Sequence, residues 1–383
     1  MIPYSNLLFF YIMSVLLIPA ILLGIYEKPI KKYGLIVNMF MIFLFVRSNK
    51  MEWICLIAFY IGQVILVKAY TYIRKKTDNV WIMRIILLLS LIPLILVKFN
   101  RFITVTTIGF IGISYVTFRT IEILIETYDG LIKDINLLEY TYFILFFPTV
   151  SSGPIDRFRR FKEDIHKKIT RKEYIEEFLS VGIKKIFTGV LYKFIIAALI
   201  SNLWMDKIPK VHSLYNTLSY MYCYSLYLFF DFAGYSLMAI GTGYILGVKV
   251  PENFNKPFIS KDIKEFWNRW HMSLSFWFRD FIYTRFVMNS MRKKRFKNRY
   301  TSSYIGYFIT MLVMGIWHGI YIHYLVYGLY EGILLAGTDY FQKNSKFYKK
   351  NKKKKWFKYL SVFITFNLVC FGLLIFSGYL YNK

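Results

Sequence analysis

Long apolar segments alternate with short charged segments along the whole chain. A helix needs about 20 mostly apolar residues to cross a bilayer. The segments 34–46, 137–150 and 235–248 are shorter, so each could be tilted, broken or re-entrant. The pattern predicts an all-α polytopic membrane protein with about ten to twelve crossings. The predicted spans are 6–25, 34–46, 53–72, 81–97, 106–125, 137–150, 178–203, 213–232, 235–248, 303–320, 322–340 and 359–380.

Basic residues cluster in the short loops between the apolar segments, which is the positive-inside pattern and not that of a nucleic-acid groove. The first basic loop predicts that the N-terminus lies outside, and the last one predicts the same for the C-terminus. The first apolar segment lacks a basic start and a cleavage site, so it is predicted to be a span. With a net charge of +28, the cytosolic face would attract anionic lipid and acidic proteins. The basic loops are 28–32, 74–76, 157–172, 292–299 and 349–355.

The composition excludes a soluble globular protein, because 56% of the residues are hydrophobic and 20% are aromatic. No fixed-period repeat or linker divides the chain. It is therefore predicted to form one membrane domain over 1–383, with more polar elaborations at 151–177 and 251–300. The sequence offers no ligand cluster for a metal. The three cysteines lie in apolar runs and are predicted to be buried thiols without a disulfide or a zinc site; they are Cys55, Cys223 and Cys370.

One segment, 254–285, is unusually polar and aromatic: FNKPFISKDIKEFWNRWHMSLSFWFRDFIYTR. Pro257 and Ser260 mark a helix entrance, and the spacing predicts one helix over 262–281. On such a helix His271 would lie next to Trp267, Asn268 and Ser275, which are three or four residues away. Each charge at the bilayer centre costs about 2–3.5 kcal/mol, so this helix must lie at the interface or behind other helices. It is either the working centre or an aromatic-anchored surface helix.

Polar residues also occur inside apolar segments. Arg119, Glu122 and Glu126 are spaced to pair along one helix face, either at a functional site or as a structural ion pair. The segment 146–161, FFPTVSSGPIDRFRRF, predicts a broken helix that lines an entrance or forms a plain loop. Asp231 lies alone in an apolar run. It could hold a histidine in one tautomer or cap a helix break at 233–235, and the structural role is favoured.

His318 is isolated in the apolar stretch MLVMGIWHGIY, between Gly315 and Gly319. A neutral imidazole can act as a base at neutral pH, although a lone histidine on an apolar face is more often a core residue. On a helix that starts at Arg299, His318 would lie roughly 27 Å along the axis. His323 is predicted to be solvated in a turn.

Several motifs together resemble the membrane-bound O-acyltransferase family. They are GISYVTF, FFPTVSSGPIDR, YLFFDFAGYSLMAIG, PENFNKPFISKDIKEFWNRWHMSLSFWFRDFIYTR and MGIWHG, within about residues 105–340. The resemblance implies a ring of about ten to twelve transmembrane helices around a thin core, with re-entrant helices. It also implies that His318 is the catalytic histidine and that His271 takes a second family position, where some members have asparagine. Residues expected to orient the substrate are Asn268, Trp267, Ser275 and Asp231.

Within this family, the segment 285–299 resembles the branch that transfers D-alanyl groups to teichoic acid, because it lacks the glycine-rich turn of the polysaccharide O-acetylating branch. The resemblance implies a donor thioester on the phosphopantetheine of a cytosolic carrier protein, with no cofactor bound to the chain itself. An outside partner protein could relay D-alanine to teichoic acid. A hydrophobic patch with a basic rim could receive a small acidic carrier: Phe286, Val287, Met288, Arg292, Lys293 and Lys294.

Three alternatives remain open from the sequence. The first is an O-acetyltransferase of an exported polysaccharide. The second is a transporter or flippase whose pathway is lined by Arg119, Glu122 and Asp231, although related halves, common in transporters, are not found here. The third is a membrane scaffold without chemistry.

Overall fold

The computed structural model describes residues 1–47, 49–99, 109–209 and 211–381, without the side chain of Arg299. Helices of α, 3-10 and π type, joined by turns and loops, make up these residues, and no strand occurs among them. The all-α prediction is confirmed. The α-helices are α1 Leu7–Ile25, α2 Lys31–Val46, α3 Lys50–Arg74, α4 Val80–Phe99, α5 Ile113–Tyr128, α6 Leu137–Ile144, α7 Phe158–His166, α8 Arg171–Glu173, α9 Ser180–Val190, α10 Ala198–Leu203, α11 Leu214–Ile245, α12 Ile263–Trp267, α13 Met272–Phe278, α14 Thr284–Arg292, α15 Arg299–His318, α16 Ile322–Asn344, α17 Lys346–Asn351 and α18 Lys355–Phe376.

Six helices of the described chain are long and apolar enough to cross a membrane. The helical run Arg171–Lys207 is one of them, and it contains π-helical turns at Tyr174–Leu179 and Leu191–Ala197. The total number of crossings and the orientation stay predictions. The predicted span 106–125 begins at residues 106–108, which lie outside the described residues. The other five long helices are α1, α3, α4, α11 and α18.

Two predicted spans, 213–232 and 235–248, are one helix of 32 residues, α11. The predicted break at 233–235 is therefore wrong. Gly234 lies inside this helix, and the backbone at Gly189 packs closely against it. A Cβ on Gly189 would lie 2.6 Å from the carbonyl oxygen of Gly234, which leaves room for glycine only.

The chain divides into two compact units, Met1–Val190 with Gly234–Pro251, and Leu191–Ala233 with Glu252–Lys383. The prediction of one membrane domain stays a prediction. Two of the three free cysteines, Cys223 and Cys370, are buried, whereas Cys55 is partly exposed, so the prediction of burial is wrong for Cys55.

In the first unit, a buried arginine donates hydrogen bonds to backbone carbonyl groups at a helix break. As predicted, the helix before Pro148 ends early, at Ile144. Arg119 is 1% exposed and donates to the carbonyl oxygens of Phe143 (2.8 Å), Ile144 (3.0 Å) and Thr149 (3.0 Å). These carbonyls have lost their helical partners, and a buried carbonyl needs a donor. Arg119 therefore locks the broken segment.

The predicted pairing of Arg119 with Glu122 and Glu126 along one helix face is wrong. Glu122 instead accepts from the backbone N–H of Phe158 at 3.0 Å, and Glu126 pairs with Arg159 at 2.9 Å. The carboxylates face the start of α7, whose first amides are unpaired donors. Both contacts join helices, in agreement with the structural alternative and not with the functional one.

In the second unit, α15 and α16 form an antiparallel hairpin with close backbone contact. A Cβ on Gly315 would lie 2.4 Å from the carbonyl oxygen of Tyr324, and one on Gly328 would lie 2.6 Å from that of Met311. Small residues on both helices permit this approach. The hairpin fixes the position of His318, the last residue of α15.

Candidate active site

The segment around His271 is not one helix, so the prediction of a helix over 262–281 is wrong. Its start is correct, because the Asp262 side chain caps α12 by accepting from the N–H of Glu265 at 2.8 Å. The chain leaves the helix after Trp267 and resumes at Met272. His271 between them has φ 42° and ψ 51°, a left-handed conformation that costs roughly 1–2 kcal/mol for a residue with a Cβ. Such strain persists only where neighbours enforce it.

A second stretch of chain enforces this turn. The N–H of Met272 donates to the carbonyl oxygen of Asn253 at 2.9 Å, and the N–H of Asn255 donates to that of Arg269 at 2.9 Å. The side chain of Asn253 also accepts from the backbone N–H of Ser273 at 3.2 Å and from its hydroxyl at 2.6 Å. These hydrogen bonds bracket His271 on both sides and hold it off the helical path.

The imidazole of His271 is 4% exposed and packs edge-on against the ring of Phe232, with centroids 4.7 Å apart. Its Nε2 atom is buried and has no hydrogen-bond partner within the described ranges. Burial, and secondarily the charge of His318, lowers the pKa of His271 to about 3. The residue lies outside the six candidate spans. His271 is therefore neutral at physiological pH.

His318 ends α15 and is half-buried. Its ring contacts Phe376 of α18 edge-on, with centroids 4.8 Å apart, and that of Trp317 at 4.5 Å. The charge of His318 acts on His271, so the two imidazoles lie within the range of an electrostatic interaction. The structure brings together the two histidines that the sequence singled out.

A cavity of about 200 Å³ lies in the same unit. Trp267, Asn268 and Ser275 contribute to its wall, so three of the four residues predicted to orient the substrate share one cavity. Most of the other wall residues are apolar or aromatic. Two basic residues, Lys264 and Arg279, also line it. The wall is therefore mostly apolar and carries two cationic side chains.

Glu331 of α16 is a site residue that sequence reasoning missed. It is 1% exposed, and its Oε2 accepts from the indole N–H of Trp267 at 3.0 Å. This bond fixes one wall of the cavity. The signal in the sequence was that Glu331 is the first charge after Arg299 in a long apolar run.

The structure pairs Asp231 with Lys193, which donates to its carboxylate. Neither predicted partner is found, since α11 has no break to cap and the carboxylate meets a lysine instead of a histidine. Lys193 lies in the π-helical turn Leu191–Ala197, whose wider spacing the sequence did not indicate. A role of Asp231 in orienting the substrate stays a prediction.

The predicted docking triplet is only partly a surface. Met288 on α14 is 64% exposed, whereas Phe286 is half-buried and Val287 faces Gly306 of α15, where an added Cβ would meet it at 3.0 Å. Met291, one turn beyond Met288, is 52% exposed. A helix exposes residues three apart and not three in a row. The exposed set is called the basic methionine patch: Met288, Met291, Arg292, Lys293 and Lys294.

A family profile and the similar proteins of known name agree on one family for this chain. The profile of "MBOAT, membrane-bound O-acyltransferase family" matches residues 57–381. The chain is 45% identical over 389 residues to a teichoic acid D-alanyltransferase of Bacillus subtilis, covering 99% of this chain and 98% of that protein. It is 42% identical to the protein of that name from Streptococcus thermophilus, covering 99% and 95%. A probable alginate O-acetylase of Pseudomonas aeruginosa is 36% identical over 59% of this chain and 42% of its own length.

The matched region extends beyond residues 105–340 at both ends and includes most of α3 and all of α4 and α18. The family prediction is confirmed, and with it the class of enzyme. This chain belongs to the membrane-bound O-acyltransferase family and is a membrane-embedded O-acyltransferase.

Proposed function

We propose that this protein transfers D-alanine from a carrier-protein thioester to a hydroxyl group in teichoic acid, or to a relay protein that serves it. The similarity to teichoic acid D-alanyltransferases covers 99% of the chain, whereas that to alginate O-acetylases covers 59% to 70%. Similarity over nearly the whole length of both proteins favours the D-alanyl donor.

The proposed chemistry begins with His318 as the base. It accepts the proton of the acceptor hydroxyl while that oxygen attacks the thioester carbonyl. The tetrahedral intermediate collapses, the C–S bond breaks, and the leaving thiolate takes up the proton to become a free thiol. A base in this position is typically worth about 10²–10⁴-fold. The products are a D-alanyl ester and a carrier with a free thiol.

His271 acts as a neutral group. With a pKa of about 3, it carries no charge at neutral pH and can only donate or accept a hydrogen bond. Its orphaned Nε2 is available for this. We assign it to orienting the thioester beside His318. Asn268, Trp267 and Ser275 form the wall against which the donor rests.

The cavity suits a phosphopantetheine arm, which is a narrow flexible chain that carries the acyl group at one end and a phosphodiester at the other. A volume of about 200 Å³ is small for a bulky ligand but fits part of an extended chain. Lys264 and Arg279 on its wall would attract the phosphodiester. The donor would then enter from the side that the basic loops mark as cytosolic.

The test of this function uses purified protein in liposomes with two donors, D-alanyl carrier and acetyl-CoA. We expect release of the carrier thiol together with an ester of D-alanine on the acceptor. Use of acetyl-CoA alone would favour the O-acetyltransferase alternative. Movement of substrate across the bilayer without acyl transfer would favour a transporter and would contradict the proposal.

The basic methionine patch is proposed to receive the acidic carrier. The triple variant Arg292→Glu, Lys293→Glu, Lys294→Glu should raise the KM for the carrier about 10–100-fold at low salt, because charged rims mainly steer association. The effect should shrink as salt rises and screening shortens the range of the field. The kcat should change little, since the patch does not touch the reacting atoms.

A matched control reverses three other exposed lysines: Lys352→Glu, Lys353→Glu, Lys354→Glu. This variant changes the net charge equally. If both triple variants raise the KM alike, the carrier responds to overall charge and does not dock at the patch. Steady-state kinetics at two salt concentrations measures the difference.

A further inference from the structure

The orientation of the Asn253 side chain is fixed by its neighbours. Its Oδ1 accepts from the backbone N–H and the hydroxyl of Ser273, at 3.2 Å and 2.6 Å. A backbone N–H can only donate, so the atom that faces it must be the amide oxygen. The Nδ2 group is therefore the other end of the amide, with two N–H donors.

This Nδ2 group is an orphan in the structure. Asn253 is 0% exposed, and its Nδ2 has no hydrogen-bond partner in the part of the chain that the structure describes. Buried polar groups are nearly always paired, so an unpaired one calls for an explanation. One explanation is a ligand that supplies a hydrogen-bond acceptor for this N–H when it binds.

A second buried polar group without a partner in the described chain lies on the segment that is hydrogen-bonded to Asn253. The Nε2 of His271 is also buried without a hydrogen-bond partner among the described residues. The residue after His271, Met272, is bonded to Asn253 by a backbone hydrogen bond of 2.9 Å. Two buried polar groups without partners in the described part of the chain thus lie on the two segments that this hydrogen bond joins, and the charge of His318 acts on one of them, His271.

We propose that Asn253 serves the acyl transfer with both ends of its amide. The oxygen holds the turn that carries His271, and the Nδ2–H donates to the carbonyl oxygen of the acyl donor. That oxygen gains negative charge when the acceptor attacks, and a fixed donor stabilises it more than the ground-state carbonyl. No proton is transferred to or from Asn253. The proposal rests on the acyl-transfer function proposed above.

The main test is Asn253→Asp. Aspartate keeps an oxygen to accept from Ser273 but loses the N–H donor. We expect kcat to fall about 10²–10³-fold, as for loss of one oxyanion donor, with a much smaller change in KM. A protonated carboxyl group can donate, so the ratio of variant to wild-type kcat should rise as the pH is lowered from 8 to 5.5. The matched control is Asn255→Asp, the same change on an exposed side chain of the same segment.

If kcat of Asn253→Asp stays within threefold of Asn255→Asp, the proposal is overturned. If Asn253→Asp does not fold, Asn253→Ala and Ser273→Ala decide. Both weaken the bracket, but only the first removes the N–H donor, so it should lose at least tenfold more kcat. Equal losses would leave Asn253 a purely structural residue and overturn the donor role.

The comparison uses whichever thioester wild-type protein accepts, D-alanyl carrier or acetyl-CoA. Both present the same carbonyl oxygen to the site. A failure of the D-alanyl donor in wild type would therefore count against the proposed function alone. The ratio between variants would still decide the role of Asn253.

Discussion

Replacing His318 by alanine is expected to lower kcat for acyl transfer about 10²–10⁴-fold, because the variant lacks the base that takes the acceptor proton. The fold should be kept, since the ring is half-buried and packs against the aromatic rings of Trp317 and Phe376. Single-turnover transfer from a loaded carrier measures the chemical step directly. The thermal midpoint in detergent checks that the variant is folded.

The pH dependence of the wild type identifies the base. A base must be unprotonated, so the rate should fall as the pH is lowered into the range where an imidazole takes up a proton. The pKa of His271 is about 3, so His271 stays neutral and contributes no transition between pH 5 and 8. His323→Ala is the control, since that imidazole lies nearby, stacked on Tyr321 with centroids 5.4 Å apart. Retention of a tenth of the wild-type rate in His318→Ala would contradict the assignment.

Replacing Gly315 by alanine is expected to destabilise the protein by about 1–3 kcal/mol, as overpacking does. The added Cβ would lie 2.4 Å from the carbonyl oxygen of Tyr324, a backbone atom that cannot move aside like a flexible side chain. The helices α15 and α16 would have to separate. Because Gly315 lies one turn before His318, the shift should also lower kcat.

Gly337→Ala in α16 is the matched control. A Cβ there meets nothing within 4 Å, and alanine favours a helix more than glycine does. This variant should be neutral or slightly stabilised, with normal activity. Thermal unfolding and acyl-transfer rates of both variants test the contrast. Equal thermal midpoints would show that the close backbone contact does not hold the hairpin.

The sequence predicted the features that depend on composition and local pattern. The apolar runs predicted the membrane character and most of the helices. Proline and glycine gave the break before α7, and Asp262 gave the start of α12. The isolation of His318 and the polar segment around His271 marked the residues that the fold then brings together. Each of these signals is contained within a few turns of chain.

The pairings across distant segments could not be predicted. The spacing of Arg119 and Glu122 suggested a pair. Instead, Arg119 donates to backbone carbonyl groups that the broken helix leaves unpaired, and residue spacing along one helix cannot predict such a contact. The carboxylate of Asp231 accepts a hydrogen bond from Lys193, which lies in a π-helical turn that the sequence did not indicate. Val287 turned inward because α14 packs against α15.

What the sequence alone determined is the class of protein, and it singled out the two histidines proposed to act in the transfer, because bilayer energetics make apolar length and isolated polar groups conspicuous. What only the tertiary structure decided is the shape of the site. A periodic pattern predicts a helix through His271, but hydrogen bonds from Asn253 and Asn255 override it. Their partners lie some 14 to 20 residues away in the chain, and no local propensity encodes a contact of that kind.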